Sequence, residues 1–286
     1  MAGFGRERKS VRLGGLVSEN PHSAAAELRS YVWQRYDRRS LWALGALVLT
    51  GGVVGYRWSD LLDANGTMDW LLTGIWVGMA ALLAWNVSAR RDLLLLAVGL
   101  AGGGLIEWWG TTSQVWRYFT DERPPLWILP AWPVAALTAE RMALMLDHGI
   151  SVIERRRGRL SERVFTVLYW LVLPGFVAGM AWFVWPTVHV TSTRAVLLLM
   201  VTLTLLGREH RRDVTVFAAG AGLGIFLEYW GTSRQCWIYY THEVPPLMAV
   251  LAHGFAAIAF VRGADLCERV FGRVFPRYKQ LENTCS

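Results

Sequence analysis

Charged residues are scarce in this chain, at 18% of 286 residues, and long runs carry almost none. Stretches of some 18 to 22 nearly uncharged residues recur. Each is long enough to cross a hydrocarbon core of roughly 30 Å at about 1.5 Å per residue, which a soluble chain of this length has no use for. Cysteine is scarcer still, with three in all. Cys236 falls in an outer loop and Cys267 and Cys285 on the cytoplasmic side, so Cys236 can pair with neither. No Cys/His metal spacing occurs, and Cys285 does not fit a prenylation box, so neither a metal nor another cofactor is expected. Nucleotide-binding loops, HExxH, GxSxG and DDxxD-type acidic motifs are all missing, which removes magnesium–diphosphate chemistry. A single His at membrane depth excludes bis-His haem ligation. Residues 1–40 are polar and basic and the first apolar run is already a full span, so no cleavable signal peptide is expected.

What is present reads as an all-α integral membrane protein of about eight transmembrane helices. The spans fall near 41–58, 67–88, 92–112, 124–146, 164–185, 194–207, 214–233 and 245–263. The net charge of +7 is laid out by topology rather than by nucleic-acid binding. Basic residues crowd the arm over 1–40 (Arg6, Arg8, Lys9, Arg12, Arg29, Arg35, Arg38, Arg39) and alternate loops (Arg90 and Arg91; Arg155, Arg156, Arg157, Arg159 and Arg163; Arg208, Arg211 and Arg212). The tail over 264–286 adds Arg269, Arg273, Arg277 and Lys279. The positive-inside rule then puts both termini in the cytoplasm and the chain in the plasma (inner) membrane. Residues 23–39 alternate apolar and charged side chains, predicting a helix on the cytoplasmic surface.

The chain repeats itself. Residues 90–141 align without a gap on 211–262, a shift of 121, with 22 identities in 52 positions. The densest part reads EWWGTTSQVWRYFTDERPPL at 107–126 and EYWGTSRQCWIYYTHEVPPL at 228–247. This predicts a tandem repeat of two four-helix units, 41–147 and 164–263, joined by a basic linker over 148–163. Four is even, so the copies share one orientation and are related by an axis along the membrane normal. In each copy Arg-Arg-Asp opens the third helix, small residues four apart (Gly99 and Gly103; Gly220 and Gly224) offer close helix packing, and Glu107 or Glu228 follows one step on. The prolines at 124–125 and 245–246 are expected to start the fourth helix. Arg141 and Arg262, near its cytoplasmic end, are expected to snorkel.

Glu107 and Glu228 are the leading candidates for chemistry. A carboxylate inside a span costs at least about 2.5 kcal/mol even on lenient scales, and this chain carries that cost twice. Each either ties down its own outer loop, neutral or paired with Arg117 or Arg234, or faces its twin across the pseudo-twofold axis to share and relay protons. Tyr118 and Tyr239 follow on the outer loops. His253, which replaces Trp132 of the first copy, is placed to act with Glu228. Trp109, Trp116, Trp230 and Trp237, with Gln114 and Gln235, are substrate-binding candidates, although Trp and Tyr also belong at a membrane interface for amphipathic reasons alone. Aromatic walls suit an apolar chain or a carbocation.

The pattern Gly103-x3-Glu107-x2-Gly110, followed by Tyr118 and a proline-led helix, resembles the membrane-embedded carotenoid biosynthesis proteins of the carotenoid hydratase type. That resemblance implies acid-catalysed addition of water to a terminal isoprenoid double bond. It carries over to Glu107 and Tyr118, and to Glu228 and Tyr239. The expectation is an enzyme acting on a membrane lipid or isoprenoid, alone, as a homo-oligomer or in a membrane complex, with no nucleic-acid partner. The alternatives are a proton-coupled transporter, whose polar path would run through Thr73, Thr138, Thr202, Thr204 and His253, and a non-catalytic subunit of a larger assembly.

Overall fold

The computed structural model describes residues 21–57, 70–158 and 160–274. Arg6, Arg8, Lys9, Arg12, Arg159, Arg277, Lys279 and Cys285 lie outside the described residues. The protein is mostly helical: α1 Pro21–Trp33, α2 Arg38–Arg57, α3 Trp70–Ala84, α4 Ala89–Thr112, α5 Ala131–Arg157, α6 Glu162–Phe183, α7 Thr191–Leu205, α8 His210–Ser233 and α9 Leu247–Val274. Helix is what the sequence favours here, because only a helix satisfies its own backbone in a run too apolar for water to reach. Among the described residues four helices, α4, α6, α8 and α9, are long and apolar enough to cross a membrane. The α3 and α7 helices are apolar but only 15 residues each.

At the centre, α4 packs against α5 and α9, and α8 packs against α9 and α5. The glycines set this seam. A Cβ on Gly220 would stand 2.6 Å from the His253 carbonyl oxygen, and one on Gly224 2.6 Å from that of Val250. Gly99 meets the Pro133 backbone at 3.0 Å, and Gly103 is covered by the Trp132 side chain. The four glycines therefore admit the next helix along the chain. Outside this centre the halves differ: α3 packs on α2, α5 and α8, whereas α6 packs on α7, α8 and α9.

After α4 and α8 the chain turns through Gln114 and Gln235, both with positive φ (59° and 56°). Each turn closes its helix with paired bonds, Val115 N to Gly110 O and Gln114 N to Thr111 O, matched by Cys236 N to Gly231 O and Gln235 N to Thr232 O. This is the Schellman arrangement that satisfies the last carbonyls of a helix. Short strands follow, β1 Trp116–Tyr118 and β2 Trp237–Tyr239, and they pair antiparallel with each other, Trp116 opposite Tyr239 and Tyr118 opposite Trp237.

Several expectations are corrected. The prolines at 124–125 do not start α5, which begins at Ala131. An earlier start would need backbone donors at Pro130 and Pro133, which have none. The second copy has Leu251 and Gly254 there, and α9 starts directly after Pro246. Residues 148–157 are helical, so α5 runs well into the expected linker before Gly158 (φ 96°) stops it. The surface helix ends at Trp33, and Asp37 caps α2 by accepting from the backbone N–H of Arg39 (2.8 Å) and Ser40 (3.1 Å). The α1 helix is docked on α5: Tyr31 stacks on His148 with ring centroids 3.5 Å apart, and Arg155 pairs with Glu27.

Arg141 and Arg262 do not snorkel. Arg141 is 2% exposed and meets Asp92 at 2.6 Å, while Arg262 meets Asp213 at 2.6 Å. The Asp of each Arg-Arg-Asp lies beside that Arg across the helix pair, and a guanidinium finds more in a fixed carboxylate than in distant water. Other pairs join the halves: Arg91 to Asp265 (2.7 Å), and Arg211 to Asp147 (2.6 Å) and Glu154 (2.9 Å).

Candidate functional site

Glu107 and Glu228 are 3% and 5% exposed, near the ends of α4 and α8. Neither is held by an arginine. Glu107 Oε2 accepts from Trp116 Nε1 (3.2 Å) and the Tyr118 hydroxyl (2.9 Å), and Oε1 accepts from Trp132 Nε1 (2.9 Å). Glu228 Oε2 accepts from Trp237 Nε1 (2.9 Å), and Oε1 from the Tyr239 hydroxyl (3.0 Å), with His253 Nε2 also 3.0 Å away. Six side chains thus converge on two carboxylates as three pairs related by the shift of 121, and two of the three pairs are identical. The third is Trp132 against His253.

The local fold explains the convergence. The Schellman turn reverses the chain, and the strand's alternation sends Trp116 and Tyr118, two residues apart, to one face. The indole of Trp116 then lies over Gly110, and that of Trp237 over Gly231, where any Cβ would fall inside the ring. Trp132 comes from the first turn of α5 and His253 from the second turn of α9, and they reach the carboxylates over Gly103 and Gly224. The motif spacing Gly-x3-Glu-x2-Gly therefore has a plain cause: one glycine seats the donor from the next helix, the other seats the donor from the hairpin.

The two half-sites share a wall. Trp116 packs on Tyr239 (5.8 Å between centroids) and Tyr118 on Trp237 (6.0 Å), while Trp132 lies parallel to His253 (5.6 Å, 13°). Both carboxylates line one cavity of about 2090 Å³, whose remaining wall includes Ile75, Met79, Phe176, Met180, Met200 and Phe260. Its rim residues Trp70, Leu105 and Leu126 are exposed, so it opens to the exterior. Toward the middle of the helices, away from the hairpins, the seam closes on Ala136, Ala139, Leu223 and Ala257 around a void of about 10 Å³, room for about one water.

The aromatic candidates divide. Trp109, Trp116 and Trp237 are buried, Trp109 donating to Thr193 Oγ1 at 3.0 Å, and Trp230 lines the cavity. Trp108 and Tyr229 are half exposed, as belt residues are. Gln114 and Gln235 are exposed and form the turns. Two cavity features escaped sequence reasoning. Trp132 as the third donor to Glu107 was legible only through its alignment with His253. Trp127 packs edge-on to Tyr118 (5.4 Å) with its indole nitrogen buried and unpartnered, and no pattern signals it. Among the described residues no cluster of His, Cys, Asp and Glu suits a metal ion. No protein-family model, no curated protein and no solved structure matches the chain.

Proposed function

We propose that this chain is an integral membrane enzyme of two tandem, parallel four-helix units, eight spans with both termini in the cytoplasm. It acts on an isoprenoid-type lipid from the outer half of the plasma membrane. The observation that carries the reading is the single apolar-walled cavity onto which both buried carboxylates open. A carboxylate pair in an aromatic, water-poor chamber suits proton addition to an alkene. The π pair forms the new C–H bond, the cation left on the neighbouring carbon lies among ring faces, and water adds there and returns a proton to the site. The resemblance to carotenoid hydratase-type proteins points to this hydration. Transport fits less well: the seam below the carboxylates is packed, and the hydroxyls of Thr138, Thr202 and Thr204 are spent on carbonyls of their own helices.

A second reading has its own support. Each carboxylate is saturated by its own hairpin and the following helix, which is what an anchor in a non-catalytic subunit would need. Membranes carrying Glu107→Gln and Glu228→Gln separate the two. The enzyme reading expects loss of a modified isoprenoid from the lipid and pigment profile by about 100-fold or more. An unchanged profile with a lowered melting temperature leaves the anchor.

A further inference from the structure

Building on the reading of this cavity as a reaction chamber, we infer that its two half-sites are not equivalent: Glu228 with His253 is the proton-transfer centre, and Glu107 positions the indole of Trp132 beside it. The argument begins with the donor sets. Glu107 receives two indole N–H groups and one phenol. An indole nitrogen donates and never accepts, so of the three partners of Glu107 only the Tyr118 hydroxyl can take a hydrogen bond from a protonated carboxyl.

Glu228 differs at one position. His253 Nε2 lies 3.0 Å from Oε1, and an imidazole nitrogen donates or accepts according to where the proton sits. A hydrogen can occupy either side of this contact and the hydrogen bond survives. The imidazole lies parallel to the Trp132 indole, with ring centroids 5.6 Å apart. Trp132 is in turn held by Glu107 through its N–H (2.9 Å). The first half-site thus positions the ring against which the second half-site's His is stacked. Both members of the dyad line the cavity and so touch what enters it. The titratable and charged groups sharing that wall are Glu107, Tyr118, Glu122, Arg234, Cys236 and Tyr239; α6 and α7 contribute apolar residues such as Phe176 and Met200. After the dyad gives up its proton it is a carboxylate beside a neutral imidazole. In hydration the attacking water returns that proton, so none is consumed.

The experiment is infrared difference spectroscopy of the full chain in lipid bilayers during acidification, with isoprenoid conversion measured on the same membranes. Wild type and Glu107→Gln are expected to show a protonated-carboxyl band that grows as pH falls. Glu228→Gln is expected to lose it. His253→Gln keeps an N–H donor but cannot exchange a proton, and is expected to move the band's midpoint by about one pH unit or more, a tenfold change in proton affinity. Conversion should fall about 100-fold in both Glu228→Gln and His253→Gln. A band removed by Glu107→Gln and kept by Glu228→Gln, equal loss in both, or no titrating carboxyl in wild type would each overturn the assignment. If the infrared pattern holds and no variant alters the lipid profile, the proton centre stands and the enzymatic reading falls.

Discussion

Single atoms decide the geometry around each carboxylate. Trp132→Phe removes the donor that Glu107 Oε1 has among the described residues, and a buried acceptor left without its partner costs about 1–3 kcal/mol. A lowered melting temperature in detergent checks this, with His253→Trp, which installs the first copy's donor in the second, expected to lose far less stability. Glycine substitutions sort by what lies above them. Gly110→Ala drives a methyl into the Trp116 indole and should cost about 1–3 kcal/mol, with the Trp116–Glu107 contact broken. Gly104→Ala meets nothing within 4 Å and should be neutral or stabilising by roughly 0.5–1 kcal/mol, because alanine favours the helix. Equal losses at the two positions, read by thermal unfolding, would discredit the seating role of Gly110.

Helix ends and helix pairs carry the next set of interactions. Arg141 is among the most deeply buried side chains and rests on Asp92. Asp92→Asn leaves Arg141 with only the more distant Glu140 at 3.6 Å and should cost about 3 kcal/mol, whereas Asp92→Asn with Arg141→Met should recover most of it; chemical unfolding of the two variants is the measurement. The elbow between α1 and α2 depends on pH. The Ser40 backbone N–H, more than any other contact, holds the Asp37 carboxyl below the usual carboxylate range. A depressed value means the cap contributes fully above the ordinary carboxylate pKa and is lost as pH falls through the lowered one. Amide exchange at Arg39 and Ser40 should therefore quicken in acid in wild type, and Asp37→Asn, which caps without a charge, should flatten that dependence.

At the scale of the whole molecule, α4, α5, α8 and α9 pack together, are bridged by Arg91–Asp265 and Arg211–Asp147, and are joined at one end by the β1–β2 ladder. Co-expressed fragments 1–158 and 160–286 are expected to co-purify, and Arg211→Ala with Asp265→Asn to weaken that association; halves that never associate would deny that these contacts suffice. The helical character, the apolar helices and the small-residue seam were legible in the sequence, since apolar period and glycine spacing are local properties of the chain. Helix limits were legible only where the punctuation was read fully. Pro130 and Pro133 moved the start of α5, and the Arg-Arg-Asp aspartates, rather than water, took up Arg141 and Arg262. Tertiary structure alone decided that the hairpins pair with each other, that Trp132 stacks on His253 and that both half-sites open on one cavity. These contacts join residues up to 123 positions apart, from Trp116 to Tyr239, and their existence depends on how two packed halves meet, which no local pattern encodes.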